Sequence, residues 1–272
     1  MNRFSELYRR VISALLGATV IVSSLIYGEW TYFMVFFAIC LMAQWEFYRL
    51  VRAQEYVPIR LLGVFIGSLL FVLSFLIESG RIDSKYYFAI FPLASMIFLV
   101  KLYKKNEKNP FVNIAFFYLG IAYVAVPFTL MNIIVFYHDT YGYQIMLGLM
   151  VIIWASDTGA YFAGSLFGKT KLFERISPKK SWEGSVGGGV VALICAIVIS
   201  QFHTDLNFIE WMIVGVIVVI TGIYGDLVES LFKRSMSIKD SGNIIPGHGG
   251  FLDRFDSLIL SVPFVVVFLM LF

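Results

Sequence analysis

Charge is scarce in this chain. Asp, Glu, Lys and Arg make up only 14% of its 272 residues, against 59% that are hydrophobic. Soluble domains carry about 25% charged residues. The composition excludes a disordered chain, a coiled coil and an ordinary soluble α/β enzyme. Cysteine is almost absent. Cys40 and Cys195 lie in apolar runs, where a thiol acts as a small hydrophobe, and two such residues imply no disulfide framework. Only three histidines occur, His138, His203 and His248, too few and too dispersed for a zinc cage. The Gly-x4-Gly-Lys-[Ser/Thr] phosphate loop is missing as well.

What the chain has instead is long apolar runs. They fall at 11–27, 30–47, 59–77, 86–100, 111–136, 143–167, 184–201, 208–232 and 257–272. Runs of this kind predict an all-α polytopic membrane protein with about nine transmembrane helices. Continuous apolar stretches lack the alternation of outer-membrane strands. Many of the 27 Phe and 15 Tyr sit near segment ends, as interfacial anchors do. Arg9 and Arg10 precede the first run, but no small-residue cleavage site follows, so it reads as a retained helix.

The basic residues orient the helices. Of 21 Lys and Arg, all but Arg81 and Lys85 fall on one side of a nine-span arrangement. The positive-inside rule makes that side, with the N-terminus, cytoplasmic. Three regions follow: a four-helix membrane scaffold over 1–110, a linking helix over 111–142, and a C-terminal membrane region over 143–272. The last holds the intramembrane carboxylates, the Gly-rich turns and the two most polar loops, so function is expected there.

Asp157 lies inside an apolar run, and an acidic residue there faces a partner, a cavity or a site. Around it, Ser156, Gly159, Ala160, Ala163 and Gly164 permit close helix approach. The loop that follows, 168–184, offers Lys169, Lys171, Arg175, Lys179 and Lys180 with hydroxyls and glycines, a composition that can grip phosphate. Ser181-Trp182-Glu183-Gly184 can open a helix whose N–H groups face an anion. The richest segment is 225–257. Asp226, Glu229 and Lys233 share one helix face. The chain must turn across Pro246–Gly250. Asp253 and Asp256 then share a face of the next helix. A few carboxylates with room for water and phosphate oxygens describe a Mg²⁺ site. Lys233, Arg234, Lys239 and Arg254 stand ready to neutralise phosphate. A structural salt-bridge network is the plainer alternative.

Segment 230–256 reads Ser230-x2-Lys233-Arg234-x4-Lys239-Asp240-x5-Pro246-Gly247-His248-Gly249-Gly250-Phe251-x-Asp253-Arg254-x-Asp256. It resembles the signature of the phosphatidate cytidylyltransferases, also called CDP-diacylglycerol synthases. The runs Gly225-Asp226-Leu227-x-Glu229-Ser230, Ser177-Pro178-Lys179-Lys180-Ser181-x-Glu183-Gly184 and Asp157–Tyr161 also resemble that family. The likeness covers roughly 150–272. Ser165 departs from it, standing where members often carry a basic residue, which leaves one phosphate contact missing or moved.

The resemblance implies the reaction CTP + phosphatidate → CDP-diacylglycerol + pyrophosphate in phospholipid biosynthesis. It implies Mg²⁺, alone or with a second metal ion, and a homodimer in the cell (inner) membrane with its active site facing the cytoplasm. The expected partners are CTP, phosphatidate and the bilayer, with no nucleic acid. By the same resemblance Asp226 and Asp253 are expected metal ligands, with Asp256 and Glu229 as second choices. Lys179, Lys180, Lys233, Arg234, Lys239 and Arg254 are expected phosphate contacts. His248 is expected to orient a phosphate or assist proton transfer. Ser177, Ser181, Glu183, Asp240, Gly249 and Gly250 complete the expected substrate site.

Three other readings compete, and the plain N-terminal half argues against the transporter among them. A CTP-dependent polyprenol kinase would release CDP. A transporter would use Asp157 and Asp226 as coupling sites. A CDP-alcohol phosphotransferase would need an Asp-Gly-x2-Ala-Arg motif that is absent. The topology is directly testable. A reporter fused to the C-terminus is expected outside the cytoplasm, and a cytoplasmic signal would contradict nine spans.

Overall fold

The computed structural model describes residues 3–238 and 250–272. Among these the chain is all-helical but for one hairpin. The elements are α1 (Arg3–Tyr27), α2 (Glu29–Ala53), α3 (Arg60–Glu78), α4 (Ile90–Tyr103), α5 (Pro110–Leu119), α6 (Val126–Val135), α7 (Gln144–Phe167), β1 (Lys171–Phe173), β2 (Ser177–Ser181), α8 (Trp182–Phe202), α9 (Phe208–Ser235) and α10 (Leu252–Leu271). A 3₁₀ turn, Ser84–Ala89, leads into α4, and a π-helical stretch, Gly120–Ala125, joins α5 to α6 in one continuous span.

Each of the nine expected spans therefore has its helix. Eight are long and apolar enough to cross a bilayer, and the apolar part of α1 runs from Val11 to Tyr27. Apolar side chains such as Leu15, Ile194 and Phe264 point outward, as they must where lipid replaces water. The chain is a multi-pass membrane protein. Some ends differ from the sequence expectation. α10 begins at Leu252, five residues before its apolar run at 257, and so takes in Asp253 and Asp256 as helix residues, as their spacing predicts.

The described residues form two compact units, 3–141 with 250–254 and 142–238 with 255–272. In the first, α2 carries buried polar side chains that satisfy backbone groups of its neighbours. Tyr48 donates to the Phe117 carbonyl at 2.7 Å and Gln44 to the Gly63 carbonyl at 3.0 Å. Phe117 sits just before the π-helical stretch. Pro127 lies two residues beyond that stretch and cannot donate to the helix ladder. Asn132 links Tyr32, which donates to its Oδ1 at 3.0 Å, to the Phe71 carbonyl, which accepts from its Nδ2 at 3.1 Å.

A second polar knot ties two loops of this unit together. Lys101 and Asn113 both donate to Glu107. Lys101 also donates to the Val57 carbonyl at 2.7 Å, and the Val57 N–H donates to Asn113 at 2.8 Å. Burial pushes the Glu107 carboxyl up, but the hydrogen bonds from Lys101 and Asn113 and the charges of Lys101 and Lys104 outweigh it and hold it below its usual value.

In the second unit α7 and α8 pack through small residues. A Cβ on Gly188 would lie 2.7 Å from the Ser156 carbonyl oxygen, and one on Gly159 would lie 2.8 Å from Val191. The helices meet at backbone distance because those side chains are missing.

The Glu107 knot yields a prediction. Replacing Glu107 by Ala leaves the buried Lys101 ammonium without its carboxylate, so stability should fall by about 2 kcal/mol. Because the folded carboxyl is held low, the contribution is complete at neutral pH and is lost as pH falls below the usual carboxylate range. Thermal unfolding in detergent checks this. An unchanged melting temperature at pH 7 would contradict it.

Candidate active site

The site is built from α7, the β1–β2 hairpin and the starts and ends of α8, α9 and α10. The hairpin is antiparallel, pairing Lys171 with Ser181 and Phe173 with Ser177. It feeds directly into α8, whose first residue is Trp182. Ser181 caps that helix, its hydroxyl accepting the Gly184 N–H at 3.2 Å. Glu183 reaches back over the hairpin. Its carboxylate accepts the Lys169 and Thr170 N–H groups, each at 3.1 Å, while the Trp182 N–H donates to the Thr170 carbonyl at 3.0 Å. Glu183 thus closes the 168–184 loop onto the start of α8.

Between these elements lies a cavity of about 300 Å³, whose lining includes Ser156, Asp157, Lys179, Lys180, Ser181 and Asp226. Gly184 and Ser185 line it too, so the N-terminal turn of α8 faces the cavity, where its N–H groups favour anions. Asp157 is exposed to this space. Its surroundings agree with the expectation that an intramembrane acid faces a cavity.

Lys180 forms an ion pair with Asp226 and also donates to the Ile223 carbonyl at 3.4 Å. Asp226 is in turn hydrogen-bonded to Asp256 of α10. The two helices come this close at Gly225. A Cβ there would lie 2.6 Å from the Asp256 carbonyl oxygen. Ser257 donates to the Gly222 carbonyl at 3.3 Å, and Thr221 donates to Ser261 at 2.7 Å, both about a turn or less along the seam. Two carboxyl groups in contact need a proton or a cation between them. Asp256 is 7% exposed.

α9 has 28 residues, about 42 Å of helix, and so exceeds a hydrocarbon core of about 30 Å. With its Asn207 cap at one interface, Asp226 falls close to the other.

The remaining expected residues are placed as follows. Glu229 is buried and pairs with Lys233 at 2.5 Å. Arg234 donates to the Ile238 carbonyl at 3.4 Å. Ser177 begins β2, and Lys179 faces the cavity. In the first unit, Asp253 accepts the Gly250 N–H at 3.1 Å, and the Arg254 N–H donates to the Phe251 carbonyl at 3.0 Å. Lys239, Asp240, His248 and Gly249 lie outside the described residues. The sequence missed Ser156, Ser185 and Ser257 as cavity residues, although Ser185 and Ser257 each follow a residue it singled out.

Residues 8–272 match the cytidylyltransferase family. The chain belongs to that family. It is 33% identical to a phosphatidate cytidylyltransferase of Haemophilus influenzae, over 96% of this chain and 98% of that protein. It is 33% identical to a protein of the same name from Bacillus subtilis, over 98% of this chain and 99% of that protein. A Staphylococcus aureus protein of that name is 40% identical over 65% of this chain and 68% of its own length. The match takes in the N-terminal helices that the sequence motifs left aside.

The donor set of this family member suits a hard divalent cation. Asp226 and Asp256 supply carboxylate oxygen, and cavity hydroxyls stand nearby. Among the described residues no group of three or more His, Cys, Asp and Glu is placed to cage a metal. Mg²⁺ takes one or two carboxylates and keeps water and substrate oxygens for the rest. Each of the four expected carboxylates already has a partner: Asp226 pairs with Lys180, Glu229 with Lys233, Asp253 accepts the Gly250 N–H and Asp256 the Ser257 N–H at 2.7 Å.

Proposed function

We propose that this chain transfers the cytidylyl group of CTP to phosphatidate, giving CDP-diacylglycerol and pyrophosphate. The observation that carries the reading is the Lys180–Asp226 pair lining one cavity beside the N-terminal turn of α8, with Asp256 hydrogen-bonded to Asp226 behind it. The whole-length likeness to proteins named phosphatidate cytidylyltransferase supports the two substrates. A site near one end of α9 suits a lipid substrate, whose acyl tails stay in the bilayer while its headgroup enters the polar cavity. The excess of Lys and Arg on one side supports a site facing the cytoplasm of a cell (inner) membrane. The family resemblance supports a homodimer.

The chemistry needs no covalent enzyme intermediate. A phosphatidate oxygen forms the new bond to the α-phosphorus of CTP. The bond from that phosphorus to the bridging oxygen breaks in line, and pyrophosphate leaves with the electron pair. Two polyanions must first be brought together. Lys179 and Lys180 bind phosphate oxygens, and the first-turn N–H groups of α8 add a fixed positive end. Asp226 holds the Lys180 ammonium in place. Glu183 keeps the 169–170 backbone folded over the hairpin. Mg²⁺, held by Asp226 and Asp256, would neutralise charge on the reacting phosphates. Lys233 and Arg234, about two turns beyond Asp226 on α9, extend the positive surface.

The test uses the full-length protein in nanodiscs with phosphatidate, Mg²⁺ and CTP labelled at the α- or the γ-phosphate. The α-label should enter lipid and the γ-label should leave as pyrophosphate. A γ-label on lipid with free CDP would replace this reading with a lipid kinase. Asp226→Asn and Asp256→Asn should each lower turnover by about a hundredfold or more with the fold retained. Full activity in either would remove that residue from the site.

A further inference from the structure

Glu46 lies in α2, in the half of the chain whose sequence reads as scaffold. Its side chain is fully buried. A buried carboxylate costs several kcal/mol unless it is hydrogen-bonded or paired. The structure gives it a backbone donor 205 positions away. The Phe251 N–H donates to Glu46 Oε2 at 2.8 Å.

Phe251 immediately precedes α10, so its N–H is one that the helix itself cannot satisfy. The neighbouring Gly250 N–H is held by Asp253 at 3.1 Å, and the Arg254 N–H closes the turn on the Phe251 carbonyl at 3.0 Å. Two successive amides are therefore each held by a carboxylate, one local and one from α2. Leu252, the next residue, is fully buried. The frame that presents Glu46 is itself fixed, because Gln44 and Tyr48 on the same helix are buried and hydrogen-bonded to backbone carbonyls.

We propose that Glu46 is a positioning residue for cytidylyl transfer, fixing the Gly250–Phe251 backbone and so the start of the helix that carries Asp253, Arg254 and Asp256. The proposal rests on the function proposed above. Glu46 touches no reacting atom. It sets where α10 begins, and the chemical step depends on that setting more than nucleotide affinity does. What matters is an oxygen acceptor at this position, which glutamine also supplies.

The experiment compares Glu46→Leu, Glu46→Gln and Glu46→Asp in full-length protein in nanodiscs. Two readouts are taken: amide hydrogen exchange of peptides covering 250–254, and steady-state kinetics with CTP and phosphatidate. Glu46→Leu should speed exchange there by about tenfold or more and lower kcat by a similar factor, with KM for CTP little changed. Glu46→Gln should stay near wild type in both. Glu46→Asp, one methylene short, should behave like Glu46→Leu and decides the matter if Glu46→Leu does not fold. Wild-type exchange and turnover in Glu46→Asp would overturn the proposal, as would Glu46→Gln as impaired as Glu46→Leu. If wild-type protein transfers no cytidylyl group, the reading of function fails and this role with it. The exchange readout then still reports separately whether Glu46 holds the segment.

Discussion

A carboxylate at a membrane helix must find a cation, a proton or several N–H donors, because hydrocarbon offers it none. Asp226 meets that demand with Lys180 and Asp256, and much of the second unit is shaped by it. Lys180 reaches Asp226 from the β1–β2 hairpin, so the hairpin must be held in place. Ser181 and Glu183 do this by tying it to the first turn of α8. Asp256 reaches Asp226 because Gly225 has no side chain to keep α10 away. The small residues that let α7 approach α8 bring Asp157 to the same cavity. Charges that would be a liability singly become a concentrated polar site between apolar walls.

The first unit obeys the same rule. Its interior polar groups are consumed by backbone: Tyr48 by the Phe117 carbonyl, Gln44 by that of Gly63, Glu46 by the Phe251 N–H. Lys101 and Glu107 neutralise one another with Asn113 and Val57 around them. Apolar side chains outside and hydrogen-bonded backbone inside are the arrangement that a bilayer requires.

Helix content was legible in the sequence because nine apolar runs leave little freedom in how a bilayer is crossed. The face shared by Asp226, Glu229 and Lys233 was legible too, since helical spacing alone sets it. The partners of Asp226 were not. Lys180 and Asp226 belong to different elements, and nothing in composition says that a short hairpin will carry one to the other. Asp253 and Asp256 have equal claims on helical spacing. The close approach at Gly225 sets Asp256 beside Asp226, and spacing along the chain gives no sign of it, since both Asp253 and Asp256 accept an N–H in their own turn. Glu46 was hidden for a different reason. It ends an apolar run as any interfacial acid would, and its partner lies almost the whole chain away.

The central claim is that Asp226 and Asp256 together hold a divalent cation at the cavity. Mn²⁺ binding followed by electron paramagnetic resonance, on wild-type protein in nanodiscs and on Asp226→Asn and Asp256→Asn, tests it most directly. The account predicts a saturable bound-Mn²⁺ signal in the wild type that each substitution weakens by about tenfold or more. An unchanged signal in both variants would contradict it.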